Sequence, residues 1–229
     1  MPLLAADATL AVEPRKAALY GNAGRRAAGV LIPVEGIFPP ALLDTAAGPE
    51  LVGLEEAAAH IPPVSRDDYK HRRGVVEIRA GSPGCAGASR LASLGAQAAG
   101  GGLIRLLTDG DTAAALSGVS SGVMVDDESR AGDSGRFAPD ALLLGPGWGR
   151  SAERERLVRS AWERERQGRM ALVLDADALS YAGDLRFSGK TIMTPHPGEF
   201  AELAATAGVS EPRGGDYRAE ALSRPIPLL

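Results

Sequence analysis

A single cysteine, Cys85, stands in 229 residues, so no internal disulfide can form. The thiol reads more simply as a small residue in a packed turn than as a nucleophile. Aromatic residues make up only 4% of the chain, which leaves Ala, Val, Leu and Ile to build the core. Basic residues are not in excess. The formal charge is −4, which removes any electrostatic case for nucleic acid or an anionic membrane surface. No apolar run approaches the roughly 20 residues that a membrane helix needs. The opening MPLLAADATLAV has too short an apolar run for a signal peptide, lacks a cationic flank and carries Asp7. The expectation is a soluble, cytoplasmic protein. Internal repeats, the G-x-G-x-x-G fingerprint and the G-x-x-x-x-G-K-[ST] loop are also missing.

What the chain does have is glycine and proline, gathered at turns between apolar runs. Residues 8–12 (ATLAV), 17–20 (AALY) and 28–32 (AGVLI) read as short strands, with no convincing helix among them. Pro39-Pro40 ends this stretch, and 49–59 reads as a short helix. A domain boundary is placed near residue 50, giving regions 1–50 and 51–229. From Gly74 the rhythm changes. VVEIRA (75–80) reads as a strand, and ASRLASLGAQAA (88–99) as a helix with Leu91, Leu94 and Ala98 on its apolar face. LIRLL (103–107) completes a βαβ unit. DDESRAGDSGRF (126–137) reads as a loop. ALLLG (141–145) is followed by a charged amphipathic helix capped by Ser151, then by ALVLDADAL (171–179). Lys190 to Met193 reads as the end of a buried strand, and Gly198 to Ala207 as the start of a helix. Strands interleaved with helices argue for an α/β fold, a doubly wound and mostly parallel sheet.

Four strand exits carry unusual residues: GSPGCAGA (81–88), GPGWG (145–149), DADA (175–178) and TPHPGE (194–199). Each alone is explained by turn chemistry. Glycines at 81, 84 and 87 permit close backbone approach at a helix N-terminus, where anions are favoured, and Gly145, Gly147 and Gly149 offer the same opposite them. Asp175 and Asp177 suit a hydroxyl or a metal, or merely cap a turn. Glu199 has the spacing to cap its own helix. Pro195 and Pro197 fix the backbone on either side of His196. Taken together, the four exits fall on the carboxyl edge of one sheet, where such folds bind small molecules.

In this order GSPGCAGA, GPGWG, DADAL and TPHPGEF resemble the ADP- or ATP-dependent NAD(P)H-hydrate dehydratases, a ribokinase-like family, over about residues 51–224. Residues 1–50 resemble the last strands of the NAD(P)H-hydrate epimerase domain that precedes the dehydratase in many bacteria. The resemblance implies a lyase that repairs hydrated NADH or NADPH. A nucleotide, ADP or ATP with Mg²⁺, phosphorylates the added hydroxyl, and loss of phosphate restores the coenzyme. It implies substrate contacts at Ala88, Ser89, Gly147, His196, Pro197, Gly198 and Glu199, with Gly87, Gly145, Asp175 and Asp177 in support.

The family pattern continues with a strand ending in Lys-Gly and a G-T-G-D turn whose aspartate is the expected catalytic base. Neither occurs in these 229 residues; the nearest candidate is GGD at 214–216. No catalytic residue is therefore assigned. The expectation is an internal fragment of a bifunctional protein with impaired dehydration, whose exposed apolar edge favours oligomerisation. The alternatives are a ribokinase-like small-molecule kinase and an inactive binding fragment.

Overall fold

In a computed structural model, the structure describes residues 4–44, 51–61, 63, 65, 67, 69, 70, 72–118, 121–130 and 138–208. The chain divides into two compact units, Met1–Pro62 and Pro63–Leu229. The 214–216 segment lies outside the described residues.

The first unit is built on two parallel strands, β1 (Ala8–Val12) and β2 (Val30–Val34), paired from Ala8↔Val30 to Val12↔Val34. Residues 17–20, expected as a strand, form a helix, α1 (Ala17–Tyr20), and α2 (Asn22–Ala28) follows directly. The reason is topological. A parallel pair cannot be closed by a hairpin and needs a crossover. The alanine-rich run supplies one, since alanine is the best helix former. Two short helices, α3 (Pro40–Leu43) and α4 (Leu54–Ala59), complete the unit. Leu10, Val12, Val30 and Ile32 alternate onto one face of the pair and are exposed.

Glu13 is buried at the end of β1, and its carboxylate accepts the backbone N–H groups of Ile37 and Phe38 at 2.5 and 2.7 Å. The Phe38 N–H holds the carboxyl below its ordinary 4.5; burial opposes this, and Gly36 and Ile37 add to the lowering. A carboxyl lowered on folding stabilises the fold above its ordinary value, and that contribution is lost as pH falls through the folded value. Acidification below the ordinary carboxyl value of 4.5 should therefore weaken this unit. NMR of the Ile37 and Phe38 amides during denaturation measures it. Glu13→Gln should flatten the acid limb, and an unchanged slope would remove Glu13 as the cause.

The second unit is a six-stranded parallel sheet in the order β5-β4-β3-β6-β7-β8. Its strands are β3 (Val75–Arg79), β4 (Leu103–Thr108), β5 (Val123–Asp127), β6 (Ala141–Leu144), β7 (Ala171–Leu174) and β8 (Thr191–Met193). The helices are α5 (Ala86–Ala98), α6 (Gly110–Ser117), α7 (Ala152–Arg166) and α8 (Pro197–Thr206). The expectation of an α/β fold with a parallel sheet is met. Two elements went unread in the sequence: α6, and β5, whose last residues 126–127 had been assigned to the loop. β5 ends in two aspartates, which mask a strand pattern.

Two cores flank the sheet. Ile78, Ala80, Ile104, Leu106 and Leu116 form one. Leu142, Leu144, Leu172 and Leu174 pack with Val158, Trp148 and Leu203 in the other. The expected apolar face of α5 is overturned. Leu91 and Leu94 are 71% and 48% exposed, while Ser89 and Ser93 are buried. Ala92 and Ala96 pack against the core beside β3 and β4. The small face is buried because it lets the helix lie close to the strands. β8 is likewise not a buried strand: among the described residues it stands at one edge of the sheet, and Ile192 is 62% exposed.

Candidate functional site

The chain runs outward from β3 to β4 and β5, then returns to place β6 on the other side of β3. The carboxyl ends of β3 and β6 therefore flank a topological switch point, the usual ligand crevice of an open α/β sheet. GSPGCAGA leaves β3 there and GPGWG leaves β6, with DADA and TPHPGE leaving the next two strands in order.

The first two turns are stitched together. Gly81 N–H donates to Pro146 O at 2.9 Å, and Ser82 Oγ donates to Gly147 O at 2.8 Å. Gly147 has φ +59°, and a Cβ there would lie 2.9 Å from the Cβ atoms of both Ala88 and Cys85. Ala88 and Gly147 thus pack directly against each other, with no room for a larger residue at 147. Gly145, at φ +121°, leaves no space at all: a Cβ would collide with Asp175 O and sit 2.9 Å from Ala178 Cβ. Gly87 has open space around it. Ser89 is fully buried; its hydroxyl is turned toward Gly81 and has no hydrogen-bond partner, so it is not open at the turn.

Trp148 anchors the GPGWG turn from beneath. It is fully buried, and its Nε1 donates to Glu128 Oε2 at 3.1 Å, with Arg79 Nη1 3.3 Å from the other oxygen. The two aspartates of DADA are engaged in holding neighbours. Asp175 Oδ1 accepts Thr194 Oγ1 at 2.7 Å, and Asp177 Oδ2 accepts Gly149 N–H at 2.7 Å. Between them Ala176 has φ +45°, an uncommon conformation for a residue with a Cβ. Among the described residues no group of three or more His, Cys, Asp or Glu converges, so they do not form a protein cage for Mg²⁺.

His196 is the N-cap of α8, with Pro197 at the first helical position. Its Nδ1 accepts the N–H groups of Gly198 and Glu199 at 3.0 and 3.3 Å. Glu199 Oε2 returns the favour by accepting His196 N–H at 2.8 Å, which closes a capping box. Because Nδ1 is an acceptor, the proton of the neutral ring sits on Nε2, 3.3 Å from Glu199 Oε1. The ring is two-thirds exposed. The ring is thus held at a helix N-terminus, with its Nε2–H beside Glu199 Oε1 and its edge open to solvent.

Sequence reasoning missed Arg150, Glu202, Thr194 and Glu128. Only Arg150 carried a signal, as the first side chain after a glycine-rich turn.

The sequence model of the NAD(P)H-hydrate dehydratase family matches residues 76–224. The bifunctional NAD(P)H-hydrate repair enzyme of Salinibacter ruber is 31% identical over 226 residues, covering 89% of this chain and 41% of that protein. The ADP-dependent (S)-NAD(P)H-hydrate dehydratase of Xanthomonas campestris is 31% identical over 169 residues, covering 69% and 57%. This chain thus spans about two fifths and somewhat over half the length of these two relatives. Among solved structures, the ADP/ATP-dependent NAD(P)H-hydrate dehydratase of Bacillus subtilis, co-crystallised with ATP and Mg²⁺, superposes with a TM-score of 0.57 at 25% identity. It covers 66% of this chain and 54% of its own. A ribokinase-like superfamily protein of Enterococcus faecalis, at 21% identity and the same TM-score, bears on the fold alone.

Proposed function

Since the chain belongs to the NAD(P)H-hydrate dehydratase family, we propose that its second unit forms the substrate side of a metabolite-repair lyase acting on hydrated NADH or NADPH. The observation that carries this reading is the meeting of the Gly81–Ala88 and Gly145–Gly149 turns at the switch point, with His196 held at the head of α8 two strands away. Ala88 and Gly147 offer a close, side-chain-poor surface to a flat ring. On this reading the Nε2–H of His196 exchanges Glu199 Oε1 for an oxygen of the hydrate, while Pro197, Gly198 and Glu199 hold the ring through its Nδ1. Because the capping box fixes the ring before binding, little ordering cost remains. Gly87 opens the first turn of α5 to a phosphate group. Asp175 and Asp177 act in support, through Thr194 and the Gly149 amide.

ADP or ATP with Mg²⁺ supplies the phosphoryl group when bound, and the described residues alone do not provide its site. The first unit derives, on this reading, from an epimerase domain and has no part in the dehydration. A cytoplasmic location and self-association, with neither nucleic acid nor membrane as partner, remain parts of the proposal; among the described residues no helix is long and apolar enough to cross a membrane.

Calorimetric titration with hydrated NADH tests the reading. Binding is expected without nucleotide, and His196→Ala should weaken it about tenfold, the value of one good charge-free contact plus its lost pre-organisation, about 1.4 kcal/mol. Absence of binding to folded wild-type chain would overturn the reading. Recovery of dihydronicotinamide absorbance on adding Mg²⁺ and ADP or ATP would extend it to turnover. Phosphorylation of a small alcohol without dehydration would instead favour the kinase alternative.

A further inference from the structure

Arg150 leaves the GPGWG turn and reaches α8. Its Nη1 and Nη2 donate to Glu202 Oε1 and Oε2 at 3.1 and 3.3 Å. Its Nε lies 3.7 Å from Asp177 Oδ1. The other oxygen of Asp177 is the one that accepts the Gly149 N–H. One carboxylate therefore holds the backbone of the turn, and the guanidinium beside it grips the helix that carries His196.

Leu203 anchors the inner side of α8 in the core. Outward of it, Arg150, Ala176, Glu199 and Glu202 line a shallow surface cleft between α8 and the 176–181 turn. Leu179 and Leu203 belong to the same buried core beneath this cleft, and the Arg150 ion pairs close its outer side. Glu202 stands three residues beyond Glu199, on the same side of the helix. A force on Glu202 is thus delivered to the capping box.

The clasp is not a stabiliser of any weight. The side chains of Arg150 and Glu202 are about half exposed, at 52% and 51%, and exposed pairs contribute little to folding. Its value is geometric. The planar fork of an arginine on a carboxylate fixes both distance and orientation, which a lysine cannot do.

We infer that Arg150 is a positioning residue for the substrate site, holding the Gly147–Gly149 turn and the His196-bearing end of α8 at a set separation. This rests on the reading that both turns contact the hydrate.

The experiment compares full-length wild type with Arg150→Ala, Arg150→Lys and Glu202→Gln by two readouts. Amide exchange without ligand reports the clasp itself. Arg150→Ala should speed exchange at Gly149, Gly198 and Glu199 about fivefold while leaving the thermal midpoint unchanged. The dissociation constant for hydrated NADH should rise by a similar factor, about fivefold, with Arg150→Lys recovering less than half of the loss. Unchanged exchange at Gly198 and Glu199 in Arg150→Ala overturns the inference. So does equal hydrate affinity in wild type and Arg150→Ala, and in that case the functional reading stands. If exchange responds but wild type does not bind hydrate, the clasp survives as a mechanical link, and its assignment to a substrate site falls with the functional reading.

Discussion

Gly145→Ala is expected to destabilise the second unit by about 3–5 kcal/mol, or to prevent its folding. Two costs add. The backbone at 145 has φ +121°, a region that residues with a Cβ rarely enter and that costs about 1–3 kcal/mol. The new methyl would also drive into Asp175 O, the carbonyl at the end of β7, and press on Ala178 Cβ. Neither neighbour can yield: Ala178 is fully buried, and Asp175 N–H is bonded to Leu144 O at 3.0 Å. Gly84→Ala is the matched control. It has φ +85° with nothing near the added methyl, so it should pay the conformational cost alone. Urea midpoints for the two variants decide the matter, and equal losses would mean that the contact with Asp175 is unimportant.

Glu165→Ala should cost a comparable amount, about 3–5 kcal/mol, the usual penalty for breaking a buried hydrogen-bonded carboxylate site. Glu165 closes α7 and is fully buried. Its Oε1 accepts Ser188 Oγ at 2.6 Å and the N–H groups of Ser188 and Lys190, both at 3.1 Å. Lys190 O in turn accepts the Leu172 N–H at 2.9 Å, where β8 begins its pairing with β7. Removing the carboxylate strands two backbone donors and frees the entry of a three-residue edge strand. Differential scanning calorimetry should show the lowered midpoint, and limited proteolysis should show new cleavage between 186 and 190. Glu165→Gln keeps an acceptor in place and should lose less. A Glu165→Ala protein as stable as wild type would show that water replaces the carboxylate.

The strand exits were readable because turn chemistry is local. Glycines at 145 and 147 and the prolines around 196 announce positions where the backbone has few options, and those positions lie at the strand exits of the candidate site. Ser151 was readable as a cap for the same reason: its Oγ accepts Arg154 N–H at 3.2 Å. What could not be read was decided by partners distant in sequence. Leu91 and Leu94 looked like a core face on hydrophobicity alone, yet the sheet selected Ser89 and Ser93, whose small volume permits close approach. Residues 17–20 are compatible with either helix or strand, and only the parallel pairing of β1 with β2 settles them. The roles of Asp175 and Asp177 remained open because their partners, Thr194 and Gly149, come from other elements.

The pairing of β3 with β6 has a kinetic side. The hydrogen bond from Ser82 to Gly147 joins residues 65 apart in sequence, so it closes a loop that contains every element between β3 and β6. Closing so long a loop is slow compared with forming a helix or a neighbouring strand pair. The joined turns are therefore expected to assemble late in folding and to part early on partial opening. A population of molecules with intact helices and ordinary circular dichroism can still be blind to ligand, so ligand binding should report conformational integrity more sensitively than any secondary-structure signal.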